Sequence, residues 1–202
     1  MKKLITAGLM LWATSTQVLA DAASDLQQKL SALGRFSADF SQQVYDESGA
    51  PMQTAEGSMQ LARPDRFRWH TISPDESLIV SDGTDVWMYD PFVEQVSIVP
   101  LAEAVRNTPF LLISGGDQSR WQNYRVSQQG SSYVVASKDP AELIQRFSLR
   151  FDARGRLSRF TVVESGGQRS EFTLSRFNTS PELAASAFRF TPPPGVMVDD
   201  QR

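Results

Sequence analysis

The chain is poor in the residue types that carry out covalent chemistry. It has one histidine, His70, and no cysteine. A nucleophile–histidine relay would have to use His70, yet no Gly-x-Ser-x-Gly turn is present to hold a serine beside it. Metal binding is no better supported, because one imidazole and no thiolates cannot supply a ligand-spaced cluster. The acids of "SPDES" and "SDGTD" resemble a calcium loop, but they are more simply turn residues and caps at element ends. No glycine-rich phosphate loop precedes a helix. The expectation is a protein without enzymatic activity, cofactor or metal.

The informative chemistry is apolar, and it is concentrated in "RPDRFRWH", residues 63–70. Side chains alternate across a strand, so Phe67 and Trp69 share one face while Arg66, Arg68 and His70 share the other. Arg63 precedes Pro64 at the bend before this strand. Two readings of each feature stand side by side. The aromatic face is either an ordinary core or the wall of a space kept for an apolar ligand, as in barrels and half-barrels. Arg63 is either a solvated strand-end cation or a fork of donors aimed at the free carbonyls of a helix end.

The elements around these residues are mostly strands. The chain from Asp21 opens with a helix, for which Ser24 and Gln27 have capping-box spacing. Leu26, Leu30 and Leu33 make its apolar stripe, and Gly34 stops it. Phe36, Ala38 and Phe40 then switch the period to two. Strands are predicted in "GSMQLA", "RFRWHTI", "EQVSIV" and "YRVSQQGSSYVVAS". Hairpins are predicted about Asp82-Gly83, Gly155 and Gly166-Gly167, and a last alternation falls at "AFRF".

The segment from Val99 to Gly116 departs from this pattern. "PLAEAVRN" predicts a helical turn with Leu101 and Val105 on one face. "TPFLLISGG" predicts a second, with Thr108 as N-cap, Pro109 in the first turn and Gly115 as the stop. Phe110 to Ile113 make that helix apolar nearly all round. Hairpin-spaced turns without helical crossovers predict an antiparallel meander, curled or barrel-like.

Residues 1–20 read as a secretory signal peptide: Lys2 and Lys3, an apolar run from Leu4 to Ala13, then Val18-Leu19-Ala20 suited to cleavage. Residues 21–202 are expected to form one domain exported to a bacterial periplasm. With no cysteine, a hydrophobic core and not a disulfide scaffold must hold it. The whole chain carries a net charge of −3, and the leader removes two lysines and no acid. Nothing in that balance suggests a nucleic-acid partner.

Taken together, "RPDRFRWH", "PDESLIVSDG", "WMYDPFVEQ", "NTPF" and "FTPPPGVMVDDQR" closely resemble the bacterial outer-membrane lipoprotein carrier family LolA. The resemblance runs along essentially the whole chain. It implies a mainly β fold with short helices: an open, incomplete antiparallel β-barrel with a helical lid over a hydrophobic cavity. It implies a monomeric periplasmic carrier that takes lipoproteins released by the LolCDE ABC transporter, shields their acyl chains and delivers them to the receptor LolB. The gating arginine of the family falls on Arg63, which would hold the lid through helix carbonyls. The lid would be the Leu26–Leu33 helix with the helices from Pro100 to Ile113. The expected cavity and mouth residues are Phe67, Trp69, Leu26, Leu30, Leu33, Leu101, Val105, Phe110 and Ile113. LolB itself is a poor match, since it is anchored through a lipidated cysteine. A binding protein for another lipid or a fatty acid is the alternative. An enzyme on the same scaffold would need polar groups inside, and Phe67, Trp69, Phe147, Leu149 and Phe151 offer none.

Overall fold

A computed structural model describes residues 15–107, 109–115 and 118–202, with side chains described in these except at 15–21, 106–107, 109–111 and 118. Helix α1 (Ser15–Ala32) leads into β1 (Arg35–Tyr45). Five further strands follow in a meander: β2 (Pro51–Ala62), β3 (Arg66–Ser73), β4 (Ser77–Asp82), β5 (Asp85–Asp90) and β6 (Gln95–Pro100). Two short helices, α2 (Leu101–Asn107) and α3 (Pro109–Ser114), and a 3-10 turn over Gln118–Asn123 interrupt the strands. A second meander comprises β7 (Tyr124–Gln129), β8 (Ser132–Ser137), β9 (Ile144–Phe151), β10 (Leu157–Glu164) and β11 (Arg169–Asn178).

Strands β1 and β11 join the two meanders, with Phe40 opposite Leu174 and Val44 opposite Ser170. Together with β12 (Met197–Asp200), the described strands form a single sheet in the order β12-β6-β5-β4-β3-β2-β1-β11-β10-β9-β8-β7. Strands β7 and β12 stay at its edges, so the sheet is open. All pairings are antiparallel except that of β12 with β6.

The alternation read in the sequence is the alternation observed. Phe36, Ala38 and Phe40 on β1 are buried, and so are Phe147, Leu149 and Phe151 on β9. These residues join α1, α2 and α3 in one hydrophobic cluster, so the helices cover one face of the sheet. Gly57 makes part of that packing possible. A Cβ there would lie 2.1 Å from the His70 carbonyl oxygen and 2.6 Å from the Phe40 ring.

Several local expectations are corrected. Among the described residues helix α1 already spans Ser15–Ala32, so Ser24 lies inside it and not at an N-cap position. The helix-favouring run from Val18 to Ala23 carries it past that position. Gly34 does stop the helix as expected, though without a left-handed turn: the last turn tightens, with Leu33 N–H donating to Leu30 O at 3.2 Å and Gly34 N–H to Ser31 O at 3.3 Å. "AFRF" is not a strand. Ala187 and Phe188 fall in a 3-10 turn over Ala185–Phe188, and β12 lies beyond the prolines.

That turn covers the opposite face of the sheet. Leu78 and Val80 pair with His70 and Arg68 and therefore share their face. They are buried there, as is Phe188, while Phe190 packs on Tyr89 with ring centroids 5.3 Å apart. Helices on one face and the C-terminal segment on the other make three layers locally.

Candidate functional site

The helix-covered face is the candidate site. Leu26, Leu30 and Leu33 recur every three or four residues on α1 and are all buried against the sheet. Leu101 and Val105 on α2, Ile113 on α3 and Phe67 on β3 join the same cluster. Phe67 is only 1 % exposed. Trp69 is half-buried and packs against the cluster. The side chain of Phe110 lies outside the described residues.

An aromatic group not singled out by the sequence surrounds Trp69. Phe40 stacks on it with centroids 4.0 Å apart, and Phe172 and Phe160 meet it edge-on at 5.4 and 6.1 Å. Phe160 and Phe172 stack on each other at 4.1 Å. These rings come from β1, β3, β10 and β11, which are distant in sequence, so only the sheet order brings them together. Beyond Trp69, toward the strand ends away from Arg63, the face is less covered. Ile79 lies opposite Trp69 and Met88 opposite Ile79. Ile79 and Met88, with Val93, line an apolar groove of about 410 Å³. Met88 and Val93 are exposed in it.

The other end of the face is fastened by polar contacts. The β2–β3 turn carries Arg63, whose Nη1 donates to Ile113 O at 2.6 Å and whose Nη2 donates to Gly115 O. The N–H of Asp65, in the same turn, donates to Ser114 O at 3.0 Å. Three successive carbonyls at the end of α3, which have no partner within the helix, are therefore taken up by one turn. Asp65 adopts a φ of 60° to do this, and Arg120 grips its carboxylate at 3.2 Å. The Ser81 hydroxyl donates to Asp65 O at 2.8 Å and braces the turn from β4. Burial lowers the affinity of the Arg63 guanidinium for its proton and the Asp65 carboxylate opposes that. A guanidinium nonetheless stays charged in proteins. Of these groups the sequence singled out Arg63 alone; the unusual backbone of Asp65 has no signal in a residue type that tolerates ordinary turns.

A second polar tie holds α1. The Tyr133 hydroxyl on β8 hydrogen-bonds Asp25, which also faces Lys29 at 3.7 Å. Burial first, then the Asp25 hydrogen bond and charge, push the Tyr133 phenol up to about 12. Tyr133 reads in sequence as one more strand aromatic, so its tie to a helix more than 100 residues earlier was not legible.

His70 pairs with Glu76 at 2.8 Å on the exposed side, away from the helices. Among the described residues no group of three or more His, Asp or Glu is arranged to hold a metal ion. No described helix is long and apolar enough to cross a membrane. What the geometry provides is an extended apolar face under helices whose ends are tied by a few polar bonds.

Known proteins are similar in sequence along this frame. The family model for outer membrane lipoprotein carrier protein LolA matches residues 31–191. An outer-membrane lipoprotein carrier protein of Aeromonas salmonicida is 54% identical over 202 residues, covering 100% of both chains. One from Serratia proteamaculans is 45% identical over 204 residues, again covering 100% of both. A solved structure of an uncharacterized conserved protein from Thermus thermophilus matches with a TM-score of 0.53 at 14% identity, over 90% of this chain and 99% of its own. At that identity it speaks to the fold alone.

Proposed function

The chain belongs to the outer-membrane lipoprotein carrier family LolA, and from that premise we propose that it is a periplasmic carrier that shields the acyl chains of lipoproteins between its sheet and its helices. The observation that carries this reading is the fastening of α3 over the apolar face by Arg63 and its turn. A permanently packed core needs no such device, since burial alone would hold the helices. A cover that must open for an acyl chain is better held by a few polar bonds. These are replaced by water on opening, and each has a modest net worth.

The energetics explain why a latch is useful. Each buried methylene is worth roughly 0.8 kcal/mol, so several acyl chains in an unrestricted apolar site would be held too tightly to hand on. A cover that prefers to be shut when empty subtracts its closing free energy from the affinity for cargo. Arg63 sets that preference. Phe67, Trp69 and the buried leucines of α1, with Leu101, Val105 and Ile113, form the two surfaces that part.

The partners follow from the same reading: lipidated lipoproteins as cargo, LolCDE as the source at the inner membrane and LolB as the receptor at the outer one. The exported protein begins after Ala20, forms one domain over residues 21–202, works as a monomer and catalyses no reaction. Adding the purified protein to spheroplasts that make a labelled outer-membrane lipoprotein tests this. The expected result is label in the soluble fraction as a one-to-one complex, followed by transfer to LolB-bearing membranes. No release, with a fluorescent fatty acid still bound, would overturn it in favour of a carrier for another lipid.

A further inference from the structure

Behind the latch lies a second cavity of different chemistry. It has a volume of about 480 Å³ and sits where α1 ends, β1 begins and β2 turns into β3. Arg35, Arg63 and Arg66 line it on that side, and Thr179, Leu183 and Phe188 of the C-terminal segment line the other. Among the described residues no carboxylate lines it. Three permanent cations around one cavity are notable in a chain whose net charge is −3.

The nearby acids do not neutralise this cluster. Asp65, the carboxylate that acts on Arg63, is engaged by Arg120 at 3.2 Å. Asp82 lies across the strand pair from Arg66 but is exposed and forms no ion pair with it. Arg66 instead lies over the Phe188 ring, 5.7 Å from its centre. Arg68, on the same face, reaches Ala187 O at 3.4 Å. Arg35 is exposed and has no carboxylate partner among the described residues. Arg63 spends two of its five N–H donors on α3, leaving others for the cavity.

We infer that Arg35, Arg63 and Arg66 form a binding site for a phosphate group, and that a phosphate seated there competes with the Ile113 and Gly115 carbonyls for Arg63. Guanidinium forks match phosphate oxygens, and a phosphate has enough oxygens to engage several forks at once, which a carboxylate does not. The cavity is larger than a bare phosphate requires and accepts an ester substituent. The source is a phospholipid head group or free phosphate. A charged acceptor outbids a neutral carbonyl for the same donor, so occupancy loosens the end of α3. The latch would then weaken where phosphate is dense, at a membrane surface. This second step rests on the carrier reading; phosphate binding by the empty protein does not.

The test uses the purified protein at constant ionic strength, with sodium chloride replaced by inorganic phosphate or glycerol 3-phosphate. Binding is followed by calorimetry, and cosedimentation is measured with phosphatidylcholine vesicles containing phosphatidylglycerol. The variants are Arg35→Gln alone, at an exposed position, and Arg35→Gln with Arg66→Gln; both leave the Arg63 bonds to α3 in place. Millimolar phosphate binding, weakened at least tenfold in the double variant, is expected. Binding of both small phosphates identifies free phosphate as a sufficient ligand. Arginine-dependent binding to vesicles alone identifies the lipid head group. Absence of both, or equal binding by wild type and variants, overturns the site. Phosphate should also speed uptake of a fluorescent fatty acid severalfold in wild type and leave the double variant unchanged. Equal uptake rates with and without phosphate refute the competition at Arg63. A protein that binds phosphate but takes up no fatty acid and releases no lipoprotein would leave the site standing and sink the carrier reading.

Discussion

Replacing Arg63 by leucine tests the proposed latch. The substitution removes two charge-assisted bonds, to Ile113 O and Gly115 O, and leaves both carbonyls to water. Bonds to charged groups contribute about 1.5–3 kcal/mol each when buried. Arg63 is only half-buried, which reduces that to about 1–1.5 each, or about 2–3 kcal/mol for the pair. At 1.4 kcal/mol per decade the closed cover loses roughly 30- to 140-fold in population relative to the open one. Affinity for an acyl chain should rise by up to the same factor, and the release step should slow accordingly.

The assay is transfer of a labelled lipoprotein from its complex with wild-type or Arg63→Leu protein to acceptor membranes, alongside equilibrium binding of a fluorescent fatty acid. The leucine variant should load well and unload poorly. Arg63→Lys should fall close to leucine, because a single ammonium cannot span two carbonyls that the fork spans. Equal transfer rates for all three proteins would refute the reasoning: the contacts would then be structural and the cover controlled elsewhere.

Three further outcomes are expected. Gly57→Ala forces a methyl group into the His70 carbonyl and the Phe40 ring; a loss of about 2–3 kcal/mol, or about 4–12 °C in melting temperature, should accompany a weakened near-ultraviolet signal from the Phe40–Trp69 stack. A melting temperature within a degree of wild type would show that the sheet yields there at no cost. The neutral Tyr133 phenol is favoured in the folded protein, with its pKa at about 12 against an ordinary 10.0. Its share of stability is therefore complete below about pH 10 and is lost as pH rises toward 12. Tyr133→Phe should lower stability by about 1 kcal/mol at pH 8 and flatten denaturant midpoints between those pH values; an unchanged alkaline slope would count against the Asp25 tie. Ending the chain after Gly195 removes β12, which pairs with β6 and is held by Gln201 N–H to Ile98 O at 2.9 Å. The uncovered β6 edge should promote concentration-dependent association in light scattering, and a strictly monomeric, equally stable product would argue that β12 is ornamental.

Much of this protein is local in origin and therefore readable from its sequence. A strand alternates its side chains whatever surrounds it, so Phe36, Ala38 and Phe40, or Phe67 and Trp69, announce one face without any tertiary information. Glycine at the Gly83 hairpin, with φ 104°, and at the Gly155 turn, with φ 75°, reflects backbone sterics alone. The leucine stripe of α1 follows from helical periodicity in the same way. Identity of motif around Arg63 carried the family, and with it the expectation of a helix end within reach.

The remainder depends on which distant segments meet. Nothing in the sequence fixes the pairing of β1 with β11, yet that pairing gathers Phe40, Trp69, Phe160 and Phe172 into one aromatic group. The 3-10 turn at Phe188 and the parallel docking of β12 were missed, because short segments near prolines take their conformation from the surface they cover. Asp65, Tyr133 and the Arg35–Arg63–Arg66 cavity are likewise products of tertiary contact. Sequence period decides which way a side chain faces; only the closed set of long-range hydrogen bonds and packed surfaces decides what it faces.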